Sequence, residues 1–81
     1  MKDNMVARDV VNEQVLVSTV FLMIDHGYDG VPKWYETMVF KCDAAGKVTD
    51  WLELDCERYT TRDEAIEGHG RMVADWTTKT N

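Results

Sequence analysis

Apolar and polar residues alternate from residue 34 to residue 42, and this period of two predicts a β-strand with one buried face. The apolar side chains fall mainly on even positions, so we expect the even face to be the core face. Its members are Trp34, Glu36, Met38, Phe40 and Cys42. Glu36 is the one charged side chain on that face, which makes it the first candidate for a site.

A preceding strand is predicted over residues 14–25, which are rich in β-branched and aromatic residues. Both parities of this segment are mostly apolar, which is typical of a strand that is covered on both faces. The glycines and the proline of residues 26–33 predict a loop. Residues 1–13 indicate either a short helix or an extended N-terminal arm.

A tight hairpin is predicted at residues 43–47, where a type I turn is followed by Gly46 in the left-handed region. This turn places Cys42 opposite Val48 and starts a third strand. A regular register adds three residues of that strand to the core face: Leu52, Leu54 and Cys56. The two cysteines then lie roughly 26 Å apart along the hairpin, so we expect reduced core thiols.

The third strand also carries an acidic run on its other face: Asp50, Glu53, Asp55 and Glu57. Charged residues on an outer strand are typical of a solvated edge that resists aggregation. A docking surface for a basic partner is the alternative function for this run.

The clearest helix signal runs from Thr60 to Trp76. Thr61 is predicted to be the N-cap, and Glu64 three residues later completes a capping box. Apolar spacing defines the face that packs on the sheet: Ala65, Ile66, His69, Met72, Val73 and Trp76. Gly68 lies beside this stripe and allows a close approach to the sheet.

These elements predict an α+β fold in the order β-β-β-α, with a three-stranded antiparallel sheet and one C-terminal helix packed on one face. The single domain spans residues 14–76, and residues 77–81 form a polar tail. One sheet face stays uncovered, and an apolar patch of that size is typical of an interface. We therefore expect a homodimer through that face, formed by Phe21, Tyr35, Val39, Trp51 and Tyr59.

The charge of the chain narrows the function classes. A net charge of −6 over 81 residues opposes binding to nucleic-acid phosphates and to anionic membranes. The apolar residues 15–24 are fewer than the about 20 that span a bilayer, and acidic residues precede them, so we expect a cytoplasmic protein. An acidic DNA mimic is the alternative that this charge leaves open.

Candidate chemistry centres on Glu36 and His69, the weak catalytic candidates. One lies on the core face and the other on the helix stripe that covers it, so the predicted packing brings them within hydrogen-bond distance. The pair is then structural, a ligand contact, or a general base or metal site. The absence of CxxC and HxxxH spacing predicts no metal or cofactor. The full set of candidate binding residues is Asp25, His26, Asp29, Glu36, Arg58 and His69.

Three segments carry a resemblance to known sequences: STVFLMIDH at residues 18–26, ETMVF at residues 36–40 and ERYTTRDEAIEGH at residues 57–69. Their pattern resembles a group of small uncharacterised proteins encoded by bacteriophages and prophages, over residues 17–74. This chain departs from that pattern at Met23, where the group usually has glycine, and at Pro32, where it has a proline pair. The resemblance implies a phage origin and a location in the host cytoplasm, but no assigned activity.

The sequence therefore favours a non-enzymatic phage accessory protein, which binds a host protein or a small host molecule in host takeover or anti-defence. Binding would use the sheet face or the loop of residues 26–33. The alternative from another class is a small hydrolase or a nucleotide-binding pocket built from His26, Glu36 and His69.

Overall fold

The computed structural model describes residues 4–25 and 30–81. They form four strands and one helix: β1 Met5–Val11, β2 Val15–Phe21, β3 Tyr35–Cys42, β4 Val48–Tyr59 and α1 Arg62–Lys79. The strands make one antiparallel sheet in chain order, and α1 packs against it. The predicted α+β class with a C-terminal helix is confirmed, but the sheet has four strands rather than three. Within the described residues, no helix is long and apolar enough to cross a membrane.

The additional strand is β1, which pairs with β2 from Met5 to Val11. The hairpin between them turns through Asn12 and Glu13, whose φ angles are 51° and 58°. The amide of Gln14 donates to the carbonyl of Val11 at 3.0 Å. Two consecutive left-handed residues match the twist of a two-stranded ribbon. Met5–Val11 is therefore a paired strand rather than a short helix or an extended arm. The hairpin was not predicted because its turn forms without glycine and holds Glu13 in an uncommon conformation.

The helix covers the odd-numbered face of the sheet, so the predicted core face was wrong. Val17 and Val39 are fully buried beneath α1, beside Met72 of the helix. Thr19 and Thr37 lie on the same face, and Thr37 is one of the polar residues that made the odd face of β3 look like the outer one. Both threonines are fully buried, and their hydroxyls bond each other, so their polarity costs little there.

The other face, which we call the open face, is covered by no helix. It carries the even-numbered residues of β3, including Met38 and Phe40, which are only partly buried. Two residues predicted for the dimer patch, Val39 and Tyr59, are instead buried under α1. The predicted patch is therefore split between the two faces of the sheet.

The β3–β4 hairpin starts in the predicted register and then departs from it. Gly46 has φ 86° after the turn, and Cys42 pairs with Val48. Further along, residues 51–54 stand opposite Phe40 alone, so β4 bulges outward there. Trp51 leaves the ladder and packs edge-on against Phe40, with ring centroids 5.3 Å apart. The regular register places Met38 opposite Leu52 and Glu36 opposite Leu54, and this was wrong: they pair with Cys56 and Arg58.

The bulge also changes the role of the acidic run. Asp55 accepts a hydrogen bond from the indole nitrogen of Trp76 at 3.1 Å, and Glu57 forms an ion pair with Arg71. Both carboxylates thus face the helix rather than open solvent. Asp55 also accepts the amide of Cys56 at 2.9 Å, which removes that amide from pairing with a further strand.

The helix begins as predicted and continues past the predicted end. Thr61 is the N-cap, and its capping box with Glu64 is complete. Gly68 and His69 are buried, as the stripe predicts, whereas Ile66 is 49% exposed. The β1–β2 turn holds the far end of the helix through a 2.8 Å hydrogen bond from Asn12 to the hydroxyl of Thr80 and neighbouring contacts.

Candidate functional site

The imidazole of His69 lies between α1 and the sheet, and both of its nitrogens are bonded. Nδ1 is 2.7 Å from the hydroxyl of Thr19, and Nε2 is 2.7 Å from a carboxylate oxygen of Asp9. The His69 side chain is 7% exposed, while that of Asp9 is 55% exposed. The ring is therefore buried, with its carboxylate partner at the rim of the site.

The bonded side chains continue across the whole sheet. The hydroxyls of Thr19 and Thr37 are 2.5 Å apart, and Tyr59 donates its phenol proton to Thr37 at 2.9 Å. The network runs from Asp9 on β1 through β2 and β3 to Tyr59 on β4, with His69 contributed by the helix. It joins every element of the fold, and no other polar cluster among the described residues does so.

The Thr19–His69–Asp9 arrangement resembles the hydroxyl–imidazole–carboxylate relay of hydrolases. Here, however, the hydroxyl is buried and the carboxylate is exposed. A catalytic hydroxyl must reach a substrate, and Thr19 is 0% exposed, with its oxygen already bonded to Thr37. The accessible member is Asp9. The arrangement therefore lacks an accessible nucleophile.

Glu36 lies on the open face, so the predicted Glu36–His69 pair does not form. Its carboxylate accepts a 2.8 Å hydrogen bond from the guanidinium of Arg58 and a 3.4 Å contact from the thiol of Cys56. Burial, followed by the nearby Glu36 charge, raises the pKa of the Cys56 thiol to about 11. The sheet separates the two candidates because the odd face, not the even face, packs on the helix.

Of the candidate residues in the loop between β2 and β3, the structure describes only Asp25. Asp25 accepts the amide of Lys33 at 2.7 Å and so closes the loop between β2 and β3. His26 and Asp29 lie outside the described residues. The described part of the chain contains no group of three or more His, Cys, Asp or Glu side chains placed to hold a metal ion.

The thiols are free, as predicted, but only Cys42 is buried, and Cys56 is exposed. The misplaced thiol is the one on β4, beyond the bulge. Cys56 pairs with Met38 on the open face, so the error in its burial has the same origin as the error in the core face.

A groove that the sequence did not indicate lies beside the N-terminal end of α1. We call it the aromatic groove. It consists of two adjoining depressions of about 380 and 270 Å³ that share Phe21, Tyr35 and Arg62. Phe21 contacts the rings of Trp34 and Tyr35, with centroids 6.5 and 5.4 Å away. Only tertiary packing brings Arg62 to these rings, so no local signal could have revealed the groove.

No protein family, curated protein or solved structure matches this chain at a significant level.

Proposed function

We propose that this protein is a non-enzymatic binding protein that recognises a partner protein at the aromatic groove. The observation that carries the proposal is the composition of the groove: partly exposed aromatic rings around one exposed arginine. Tryptophan, tyrosine and arginine are the residues most enriched where protein interfaces concentrate their binding energy. The phage accessory role implied by the sequence resemblance, in host takeover or anti-defence, is part of this proposal.

The charge of the groove supports a partner segment that is both apolar and acidic. The whole chain carries a net charge of −6, yet none of the described residues lining the groove is acidic. Arg62 is exposed and reaches both depressions, so it can pair with a partner carboxylate beside the rings. The net charge of the chain disfavours an acidic segment at its acidic surfaces, which favours the groove as a contact for such a segment.

The structure lends no support to the catalytic alternative. A hydrolase or nucleotide pocket was predicted from His26, Glu36 and His69, and two of these three side chains lie on opposite faces of the sheet. The alternative of a docking surface for a basic partner on the acidic run loses part of its basis, because Asp55 and Glu57 are bonded to α1.

Self-association is a second proposal, now assigned to the open face. Trp51 and Leu52 stand out from the bulge of β4 and are each 73% exposed. Phe40 lies beneath Trp51, and Glu36 with Arg58 adds a polar pair on the same face. Exposed apolar residues grouped in this way are typical of a surface that contacts another chain.

The two proposals are tested together by affinity capture from bacterial lysate followed by native mass spectrometry. The groove variant is Arg62→Glu combined with Tyr35→Ala. Glutamate in the first helical turn suits the helix dipole, so folding should be preserved. The control is Trp51→Ser, which removes a more exposed aromatic side chain from the open face.

We expect the wild type to capture a partner of acidic and apolar character, the groove variant to lose it, and Trp51→Ser to keep it. If Trp51→Ser instead shifts the mass from dimer to monomer, the open face mediates self-association. Retention of the same partner by the folded groove variant would contradict the binding proposal.

A further inference from the structure

The buried network can be assigned a direction from the chemistry of its two ends. We use the term hydroxyl chain for the bonded hydroxyls of Tyr59, Thr37 and Thr19. The last of them is bonded to Nδ1 of His69. Each hydroxyl has one proton to donate, and each bond in the chain needs one donor and one acceptor. Once the proton position at one end is fixed, the direction of every bond in the chain follows.

With a neutral imidazole, the chain points toward His69. An ionised carboxylate only accepts, so Asp9 requires the ring proton on Nε2, and Nδ1 must then accept. Thr19 donates to Nδ1, Thr37 donates to Thr19, and Tyr59 donates to Thr37. Every buried polar atom has its partner in this state, in agreement with the absence of unpaired buried side-chain N or O atoms among the described residues.

With a protonated imidazole, the same chain must reverse. Nδ1 then carries a proton and donates to Thr19, Thr19 donates to Thr37, and Thr37 donates to the phenol oxygen of Tyr59. Tyr59 needs a new acceptor, and the carboxylate of Glu57, two residues away on the same strand, lines the same cleft as Tyr59 and can accept the hydrogen bond of the phenol. The reversed chain is also complete, so the network has two fully bonded arrangements.

We propose that protonation of His69 reverses the hydroxyl chain and moves the Tyr59 hydroxyl bond from Thr37 to Glu57. The added proton comes from solvent and rests on Nδ1. No bond between heavy atoms forms or breaks, and the three hydroxyls only exchange their donor and acceptor roles. A change in the charge of His69 thereby changes a hydrogen bond on β4, at the edge of the sheet.

The charged and titratable groups around the ring are compatible with both states. β1 presents Asp9, whose carboxylate accepts the Nε2 proton in either state of the ring. β2 presents only the hydroxyl of Thr19 among its described residues, and β3 adds the phenol of Tyr35 on the same face. β4 presents Tyr59 and Glu57, and the cation of α1 nearest to them, Arg71, is bound to Glu57.

The change at Tyr59 takes place in a cleft of about 220 Å³ at the β4 edge. Tyr59, Glu57 and Arg71 line it, together with Lys33, Arg58 and Glu64. When Tyr59 donates to Glu57, that carboxylate shares its charge between the phenol and Arg71. The guanidinium is then held less tightly and becomes more available to an anion in the cleft.

The test uses nuclear magnetic resonance of the full chain from about pH 8 to about pH 5, the range in which imidazole charge changes. His26→Asn identifies the ring signals of His69. At the upper pH we expect the proton on Nε2. As the ring titrates, the Cζ signal of Tyr59 should shift with the same midpoint.

The decisive variant is Thr37→Val, which keeps the shape of the side chain and removes the link. The His69 ring should still titrate, but the Tyr59 signal should stay at its low-pH wild-type position throughout. Thr49→Val, at an exposed position of β4, is the matched control and should behave as wild type. A neutral ring with its proton on Nδ1, or a Tyr59 signal that follows His69 in Thr37→Val, would overturn the proposal.

Tyr59→Phe provides the test if Thr37→Val does not fold. Without the phenol oxygen, the reversed chain leaves the Thr37 hydroxyl without an acceptor, while the neutral direction loses only one donor. The titration midpoint of the His69 ring should therefore fall by about one pH unit, a tenfold loss of proton affinity. An unchanged midpoint would mean that His69 and Tyr59 are not coupled.

Discussion

The buried polar residues of this protein fall into two sets, one on each face of the sheet. Thr19, Thr37 and His69 bond one another beneath the helix, whereas Glu36 bonds Arg58 on the open face. Each buried group has a partner, and so each avoids the cost of an unsatisfied polar atom in a small core. The consequences of a substitution depend on which partner would be stranded.

Arg58→Ala should destabilise the fold more than Arg71→Ala. Arg58 neutralises Glu36, which is only 7% exposed, so its removal strands a buried charge and should cost roughly 2 kcal/mol. The Arg71–Glu57 pair is much more exposed, and its loss should cost about 0.5 kcal/mol. Urea denaturation of both variants measures the difference.

The double variant Glu36→Gln with Arg58→Ala is the control for this interpretation. A neutral amide tolerates burial better than an unpaired carboxylate, so the double variant should recover part of the lost stability. Equal losses for Arg58→Ala and Arg71→Ala would show that the Glu36 charge is not what Arg58 stabilises.

Cys56 should react slowly with iodoacetamide despite its exposure. Only the thiolate is nucleophilic, and burial together with the Glu36 charge raises the pKa of this thiol to about 11. Glu36→Gln removes the charge and should increase the alkylation rate several-fold at a pH below that value. The rates are measured in a Cys42→Ser background, and no change in rate would contradict the role assigned to Glu36.

At the scale of elements, the contact between α1 and the sheet depends on one glycine. A Cβ atom at Gly68 would lie 2.2 Å from Cε1 of Tyr59 and 2.4 Å from its hydroxyl oxygen. Tyr59 is buried and bonded to Thr37, so its ring has little room to retreat. The small residue therefore sets how closely the helix approaches β4.

Gly68→Ala and Gly70→Ala should have opposite effects on stability. At Gly68 the new methyl group must displace the Tyr59 ring or the helix, with an expected cost of about 2 kcal/mol. At Gly70 a Cβ meets nothing within 4 Å, so alanine should stabilise the helix by about 0.5–1 kcal/mol. Both values come from urea denaturation, and a stabilising Gly68→Ala would show that the helix does not need this close approach.

At the scale of the whole molecule, the Tyr59–Thr37–Thr19–His69–Asp9 network ties the helix and all four strands together. Its Tyr59 end has a pH signature. Burial raises the pKa of Tyr59 from 10.0 to about 12 in the folded state. The folded protein therefore favours the neutral phenol more than the unfolded chain does.

This shift predicts a specific loss of stability at alkaline pH. The contribution of Tyr59 is fully present below pH 10 and is lost as the pH rises to about 12. Tyr59→Phe should remove this part of the pH dependence, whereas Tyr35→Phe should leave it unchanged. The free energy of unfolding is measured in a Cys56→Ser background. The pKa of the Cys56 thiol rises from 9.0 to about 11 on folding, and its titration would otherwise overlap with that of Tyr59. A Tyr59→Phe variant with an unaltered slope would contradict the assignment.

Of the candidate site, the sequence predicted the burial of two polar residues but not their partners. Glu36 and His69 were each identified as buried polar residues, and both are buried. Their predicted contact was wrong, because it depended on which sheet face the helix covers. Thr37 fell on the face opposite the predicted core face and Thr19 was not singled out, since a hydroxyl gives no sign in the sequence that another hydroxyl will lie opposite it.

The sequence by itself determined the local features: the capping box of Thr61 and Glu64, the turn before Gly46, and the strand and helix periods. These depend on interactions within a few residues, so they can be read along the chain. Only the tertiary structure decided the covered face, the bulge of β4 and the aromatic groove. Packing the helix on either face leaves every local interaction unchanged, and the choice is made by the burial and hydrogen bonding of side chains far apart in sequence.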